Sequence, residues 1–409
     1  MLWPEIGNRI NYTPHAMFYP AHLNLQNRKC IVVGGGKVAE RKVRSLLLSS
    51  GNVTLISPDA TESLKNLAQI GQVVWHRRQF QTNDTVGMFL VCAATDFSEI
   101  NTQIFKDAYD ANEIRLVNVV DVIPECTFAA ASVVMLENLA ISISTSGKSP
   151  AMSRRIREYL EAKFGTRSLY KLERNGNTIP IENRRVPYPV YLLLENRRCV
   201  VIRNAGKMSQ EMVWRIDLLR RCRASITCID PTDVDSHLLS DAFLVLTDLE
   251  CEGPVFTGNQ IQLIENLNSP EAGTFVTPSL VIDDNLIISI STQSENAADG
   301  SEVRRIRTEL AEKFENTGYG AFIDFLGELR PLVLKSIRSQ EKRQQFFDTL
   351  IDRIPDVTIN EQQTCCLGFT NTACTTECVF NWVHRGQIEH AHQYALQQIR
   401  KRKIGKLGS

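Results

Sequence analysis

The 409-residue chain has no excess charge of either sign: 46 Lys+Arg stand against 46 Asp+Glu. A protein that binds polyanions would carry a basic surplus, so no nucleic-acid partner is expected. It also lacks any apolar run near the ~18 residues of a membrane helix. The stretches at 89–94 and 128–131 are short, and no membrane partner is expected. Its first residues, MLWPEIGNRINYTPH, lack the basic-then-apolar layout of a secretory signal, which predicts a cytoplasmic protein. The rest of the composition, 43% hydrophobic and 22% charged, is ordinary for a globular chain. At ~150 residues per domain the length makes two to three domains. The 11 Cys are an odd number in a chain too long to need disulfide staples. Seven are scattered in mostly apolar contexts, as small buried hydrophobes would be. Cys365, Cys366, Cys374 and Cys378 are clustered.

The sequence repeats itself. YP followed by LNLQNRKCIVV, from Tyr19, matches YP followed by LLLENRRCVVI, from Tyr188. FAAASVVMLENLAISIST, from Phe128, matches FVTPSLVIDDNLIISIST, from Phe275. RRIREYLEAKF, from Arg154, matches RRIRTELAEKF, from Arg304. Three matches in one order predict a domain duplication. Counterparts lie closer together in the second and third matches than in the first, so the second copy is shortened in its middle.

Each copy reads as α/β. In the first, the apolar run 30–33 ends at Gly34 as a buried parallel strand would. Val38, Ala39, Val43, Leu46 and Leu47 then recur at helical spacing, and Gly51 follows the helix end. Further strands are expected at 53–56, 73–75, 89–93 and 116–119. Strands separated by helices predict a doubly wound parallel sheet. After Asp121 the pattern changes to a hairpin at 132–144, joined by Glu137-Asn138, and a helix at 151–164. Residues 321–353 read as amphipathic helix. The expected organisation is copy one at 17–165, a linker at 166–186, copy two at 187–316, a helical region at 317–356 and a tail at 357–409 that is Cys-rich, then helical at 388–399, then basic.

VVGGGKVAERK places Gly34, Gly36 and Ala39 in a G-x-G-x-x-[G/A] spacing between strand and helix. The first Gly makes the tight turn, and the second lets a pyrophosphate approach the backbone. The small third residue lets helix and strand pack closely, giving a Rossmann-like dinucleotide site. The second strand ends at Ser57 rather than an acid, with Asp59 two residues on, so this position leaves NAD and NADP open. In copy two Arg203, Asn204 and Ala205 replace the glycines. Side chains there would crowd a pyrophosphate, so copy two is not expected to bind a dinucleotide.

These motifs, with LVCAATD (90–96), VNVVD (117–121) and ISISTSGKSPAMSRRIREYLE (141–161), resemble the siroheme synthase family, in its precorrin-2 dehydrogenase / sirohydrochlorin ferrochelatase module. The resemblance is close over 17–165, and GELRPLVLKSIRSQEKRQQFFDTL (327–350) resembles that family's C-terminal helices. It implies NAD-dependent oxidation of precorrin-2 to sirohydrochlorin; bifunctional members also insert ferrous iron. A non-catalytic NAD- or tetrapyrrole-sensing module is the rival reading. By the resemblance, Gly34, Gly35, Gly36, Lys37, Val38, Ser57, Pro58 and Asp59 would hold NAD, with Thr95 near the nucleotide. Asp121 matches the functional carboxylate, a proton acceptor at a strand's carboxyl end. Asn118 and the loop Thr145, Ser146, Gly147, Lys148 and Ser149 are candidates for the polycarboxylate substrate. Arg154, Arg155, Arg330, Lys335 and Arg338 are further cations that could face it.

The chain departs from the family where Cys126-Thr127-Phe128 replaces Cys-Asp-Phe, and Ala131 replaces Pro. That departure puts the chelatase half in doubt. The four clustered cysteines are weak metal candidates, because their spacing fits no common site. Family members resemble homodimers. The fused second copy is therefore expected to act as a built-in partner, its hairpin at 279–292 pairing against that at 132–145 in an intramolecular pseudo-dimer.

Overall fold

In the computed structural model the described residues are 16–120, 122, 125–136, 139–164, 173–174, 177–178, 187–203, 208–234, 239, 241–249, 263–292, 301–352 and 378–404. After the leading strand β1 (Tyr19–Leu23) come β2 (Lys29–Val33), α1 (Lys37–Leu48), β3 (Asn52–Ile56), α2 (Glu62–Gln69), β4 (Val74–His76), β5 (Leu90–Ala93), α3 (Ser98–Phe105) and β6 (Leu116–Val119). Strands β2 to β6 form a parallel sheet in the order β4-β3-β2-β5-β6. The run Cys30-Ile31-Val32-Val33 is apolar throughout because both faces are covered. Cys30 and Val32 pack with Val43 and Leu46 of α1, while Ile31 and Val33 pack with Ile104 of α3. The strand order reverses beside β2, which opens a crevice at the carboxyl ends of β2 and β5.

The chain continues through β7 (Phe128–Ala130), β8 (Ser132–Met135), β9 (Leu139–Ser144) and α4 (Pro150–Phe164). A short ladder follows, β10 (Glu173–Arg174) with β11 (Asn177–Thr178), and then β12 (Tyr188–Leu192). A second parallel sheet, ordered β14-β13-β15-β16, comprises β13 (Arg198–Ile202), β14 (Ser225–Ile229), β15 (Leu244–Thr247) and β16 (Ile264–Asn266). Helix α5 (Gln210–Arg221) packs beside β14. Then come β17 (Phe275–Val276), β18 (Ser279–Asp283), β19 (Leu286–Thr292) and five helices: α6 (Ser301–Phe314), α7 (Tyr319–Ser336), α8 (Gln340–Asp352), α9 (Val379–His384) and α10 (Ile388–Ile404).

Two further sheets, ordered β17-β1-β12-β7 and β18-β19-β9-β8, join the two units. In the first, Ala21 stands opposite Val190, at the same separation along the chain as Tyr19 from Tyr188. In the second, Ser142 stands opposite Ser289, at the same separation as Phe128 from Phe275. Each sheet therefore sets a residue against its own counterpart in the sequence matches, the geometry of an isologous contact.

The C-terminal region differs from the expectation in two ways. The helix expected over 321–353 is two helices. Ile337 adopts an extended backbone, and the Ser339 hydroxyl then accepts from the Lys342 N–H, a serine cap that restarts the helix. The helix expected over 388–399 is present as α10, and an unexpected short helix, α9, precedes it. Phe380 of α9 meets Tyr319 and Phe322 of α7 with ring centroids 5.2 and 5.4 Å apart, and α10 buries Ala391, Ala395 and Ile399 in the same core. Helix α9 has six residues, too few for its apolar period to show in the sequence.

Candidate cofactor and substrate site

The three glycines of the turn do different work. Gly34 has φ +120°, and a Cβ on it would lie 2.2 Å from the Ala94 carbonyl oxygen. The β2–α1 and β5–α3 turns therefore touch because this residue has no side chain. A Cβ on Gly35 would lie 1.9 Å from the Asp59 carbonyl oxygen. A Cβ on Gly36 would meet nothing within 4 Å. Gly36 is the N-cap of α1 and supplies no side-chain cap, so it leaves the first N–H groups of the helix uncovered. That arrangement fits an anionic pyrophosphate. The one acid in the first turn, Glu40, is tied back: Arg44 pairs with one oxygen at 2.9 Å and the Thr61 hydroxyl donates to the other at 2.7 Å. Lys37 is exposed, with its Nζ 3.7 Å from Glu40.

On one flank, Ser57 donates to the Asp59 carbonyl at 2.6 Å and the Pro58 carbonyl accepts from Arg77 at 3.3 Å. Asp59 itself is exposed. The Ala60 N–H and Lys65, at 3.2 Å, hold its carboxyl below the usual range. On the other flank, the Thr95 hydroxyl lies 2.8 Å from the Asn101 carboxamide oxygen, whose Nδ2 donates back to the Thr95 carbonyl at 3.0 Å. This clasp fixes the β5–α3 turn.

Asp121 lies outside the described residues. The Val120 N–H donates to the Ala93 carbonyl at 3.0 Å, so the backbone just before Asp121 runs beside the end of β5. Asn118 is buried and fully engaged: Lys42 Nζ donates to its Oδ1 at 2.7 Å, and its Nδ2 donates to the Phe128 carbonyl at 2.9 Å. Thr127, where the family carries an acid, has its hydroxyl 2.8 Å from the Val117 N–H. Thr274 accepts from the Ile264 N–H at 2.9 Å in the same way in the second unit. Sequence reasoning overlooks Lys42, because a lysine one turn into a helix reads as surface.

The loop 145–149 sits under α7. Lys148 pairs with Asp324 at 2.7 Å, Arg330 donates to the Gly147 carbonyl at 2.7 Å, and the Ser146 hydroxyl lies 3.3 Å from the Asn285 carbonyl. Thr145 and Ser149 are buried at the start of α4, where the Ser149 N–H donates to the Thr145 hydroxyl at 3.2 Å. Arg154 pairs with Asp348 of α8. Cys365, Cys366 and Cys374 lie outside the described residues, and Cys378 is buried just before α9. Among the described residues no three metal-ligating side chains gather, and no described helix is long and apolar enough to cross a membrane.

The equivalent crevice of the second unit is crossed by its own charges. Arg203, at the place of Gly34, pairs with Asp230 at 3.2 Å, from the end of β13 to the end of β14.

Residues 21–132 match the family described as putative NAD(P)-binding, and residues 137–163 match sirohaem biosynthesis protein central. Over this stretch the chain is homologous to siroheme synthases. It is 37% identical over 145 residues to the siroheme synthase of Actinobacillus pleuropneumoniae serotype 3 (strain JL03), covering 36% of this chain and 29% of the relative. It is 40% identical over 144 residues to that of Pseudoalteromonas translucida (strain TAC 125), covering 35% and 30%. The match thus spans about a third of the length of these siroheme synthases. Among solved structures, "SirC, precorrin-2 dehydrogenase" is 25% identical with a TM-score of 0.32, covering 35% of this chain and 69% of that one. At that score the fold rests on the sheet topology above. The siroheme synthase-like stretch contains the open glycine turn and β6, and it ends in α4.

Proposed function

We propose that the chain is a cytoplasmic, NAD-dependent precorrin-2 dehydrogenase of siroheme biosynthesis, with one competent site per chain, in the first unit. The observation that carries this reading is the open space before Gly36 at a helix N-terminus, inside a segment homologous to siroheme synthases. Oxidising precorrin-2 removes a hydride and a proton. NAD, when bound, supplies the hydride acceptor. Gly34 and Gly36 shape the turn, the first N–H groups of α1 hold the pyrophosphate, and Ser57 to Asp59 flank one side. Asp121, two residues past the end of β6, takes the proton.

In this proposal the two units are duplicates about a pseudo-two-fold axis, and the second is a resident partner. The Ala21–Val190 and Ser142–Ser289 registers support this, as does the Arg203–Asp230 pair across the second crevice. Purified protein given precorrin-2 and NAD should form sirohydrochlorin, and calorimetry should titrate one NAD per chain. Absence of sirohydrochlorin would favour the sensor reading. Repeating the assay with ferrous iron as substrate separates a dehydrogenase from a bifunctional enzyme. Thr127, committed to the β6 backbone, offers no carboxylate for metal insertion.

A further inference from the structure

Lys42 is 8% exposed on the inner face of α1, and its ammonium bonds a neutral group, the Asn118 carboxamide oxygen at 2.7 Å. The other titratable groups facing it are the thiols Cys92 of β5 and Cys126 before β7, and Arg41 on its own helix. Glu125, beside Cys126, is engaged by the Thr102 hydroxyl at 2.8 Å. Among the described residues no carboxylate pairs with Lys42. Burial pushes its pKa down, as expected for a cation without a counter-charge.

The second unit shows the same place with its charge balanced. Val32, Cys92 and Asn118 stand in line across the first sheet, as Val201, Leu246 and Glu265 do across the second. Lys42 is the sixth residue of α1, and Arg215 is the sixth of α5. Arg215 Nε lies 3.2 Å from Glu265, whose oxygens also accept from the Thr277 N–H at 2.6 Å and the Thr277 hydroxyl at 2.7 Å. The unit without cofactor glycines carries a self-neutralised ion pair, and in the unit with them the cation has, among the described residues, only a neutral carboxamide as partner.

We propose that Lys42 is a positioning residue for the substrate of the first unit. It orients Asn118 and holds a positive potential at the end of β6 that draws a carboxylate of a polycarboxylate tetrapyrrole. Charge in a low-dielectric interior is weakly screened, so it acts on a ligand it does not touch. The inference rests on the dehydrogenase reading for its substrate class, and a binding measurement tests it apart from activity.

The probe is uroporphyrin, a stable octacarboxylate tetrapyrrole, titrated into full-length protein by fluorescence quenching, with NAD calorimetry as control. Lys42→Met should weaken uroporphyrin binding ~10-fold and raise the KM for precorrin-2 with kcat retained. NAD affinity should stay within about twofold, and Lys42→Arg, which keeps the charge, should restore binding. Asn118→Asp, which gives Lys42 the counter-charge found in the second unit, should weaken uroporphyrin as Lys42→Met does. It decides the matter if Lys42→Met fails to fold. Wild-type uroporphyrin affinity in a folded Lys42→Met or in Asn118→Asp overturns the proposal, as does absence of uroporphyrin binding by the wild type. Failure of the wild type to oxidise precorrin-2 while these affinities differ would remove the dehydrogenase reading alone.

Discussion

The hydroxyls of Ser142 and Ser289 meet at 2.5 Å, directly opposite one another where β9 pairs with β19. Tyr191 OH lies 2.9 Å from Ser142, and His22 Nε2 lies 2.9 Å from Ser289. His22 and Tyr191 are themselves counterparts in the repeat that aligns Tyr19 with Tyr188, so a histidine and a tyrosine fill equivalent ends of one buried chain of hydroxyls. Tyr191 OH also reaches the Ile287 carbonyl at 3.3 Å. The hydrogens therefore run one way: His22 Nε2–H to Ser289, Ser289 to Ser142, Ser142 to Tyr191, and Tyr191 to Ile287. His22 Nδ1 is then a bare lone pair, and it has no partner among the described residues. The opposite direction would bury an N–H with no acceptor, the costlier arrangement.

This histidine makes stability pH-dependent. Burial lowers the His22 pKa to about 3, against an ordinary value near 6.5. The fold holds the neutral ring, so its contribution is intact above about pH 6.5. It falls by about 1.4 kcal/mol per pH unit as pH drops from there toward 3. His22→Tyr, which copies the other end of the chain, should flatten that acid slope. Urea unfolding at several pH values between 7 and 4.5 measures it, and parallel curves for the two proteins would contradict the assignment.

Two neighbouring glycines should respond differently. Gly36→Asp places its side chain in open space, so thermal stability should be near wild type while NAD binding is lost to the carboxylate facing the pyrophosphate. Gly35→Ala forces a Cβ to 1.9 Å from the Asp59 carbonyl and should lower the melting temperature outright. Differential scanning fluorimetry beside calorimetry separates the two effects. Equal thermal losses would show that the space before Gly36 is not free.

Glu265 is 2% exposed and accepts from Arg215 and twice from Thr277. Glu265→Ala leaves the buried Arg215 with only the exposed Glu211, 3.1 Å away, as a carboxylate partner and should cost about 3–5 kcal/mol in denaturant unfolding. A change under about 1 kcal/mol would mean that the Glu211 pair or water suffices for Arg215.

Truncation after Arg185 removes β19 from the edge of β9. Ile141 and Ile143, buried in the intact chain, would lie on an unpaired strand edge, an invitation to self-association. Light scattering should show oligomers or aggregate without dehydrogenase activity. A soluble, monomeric and active fragment would show the second unit to be dispensable.

The strand–turn–helix at Lys29–Leu48 is legible in the sequence because its signals are local: an apolar run, glycines at the turn, and a helical period after them. The hairpins are legible for a second reason, since the repeat shows which strands correspond, and β9 does pair with β19. Charge partners are not legible. Lys148 reads as a free cation in a polar loop, but its carboxylate, Asp324, lies 176 residues on. The Lys42–Asn118 bond spans 76 residues and takes its meaning only beside Arg215 and Glu265 in the other unit. The break at Ser339 is a local signal outweighed by the longer helical period around it.

The β9–β19 ladder joins two stretches of one polypeptide, so its formation is not second-order in protein concentration. Strands tethered by intervening chain meet at an effective concentration that dilution cannot change. A dimer assembled from separate chains would come apart at low abundance and take its shared site with it. A competent site held within one chain should persist at whatever copy number the cell maintains, with specific activity unchanged across a roughly thousandfold dilution.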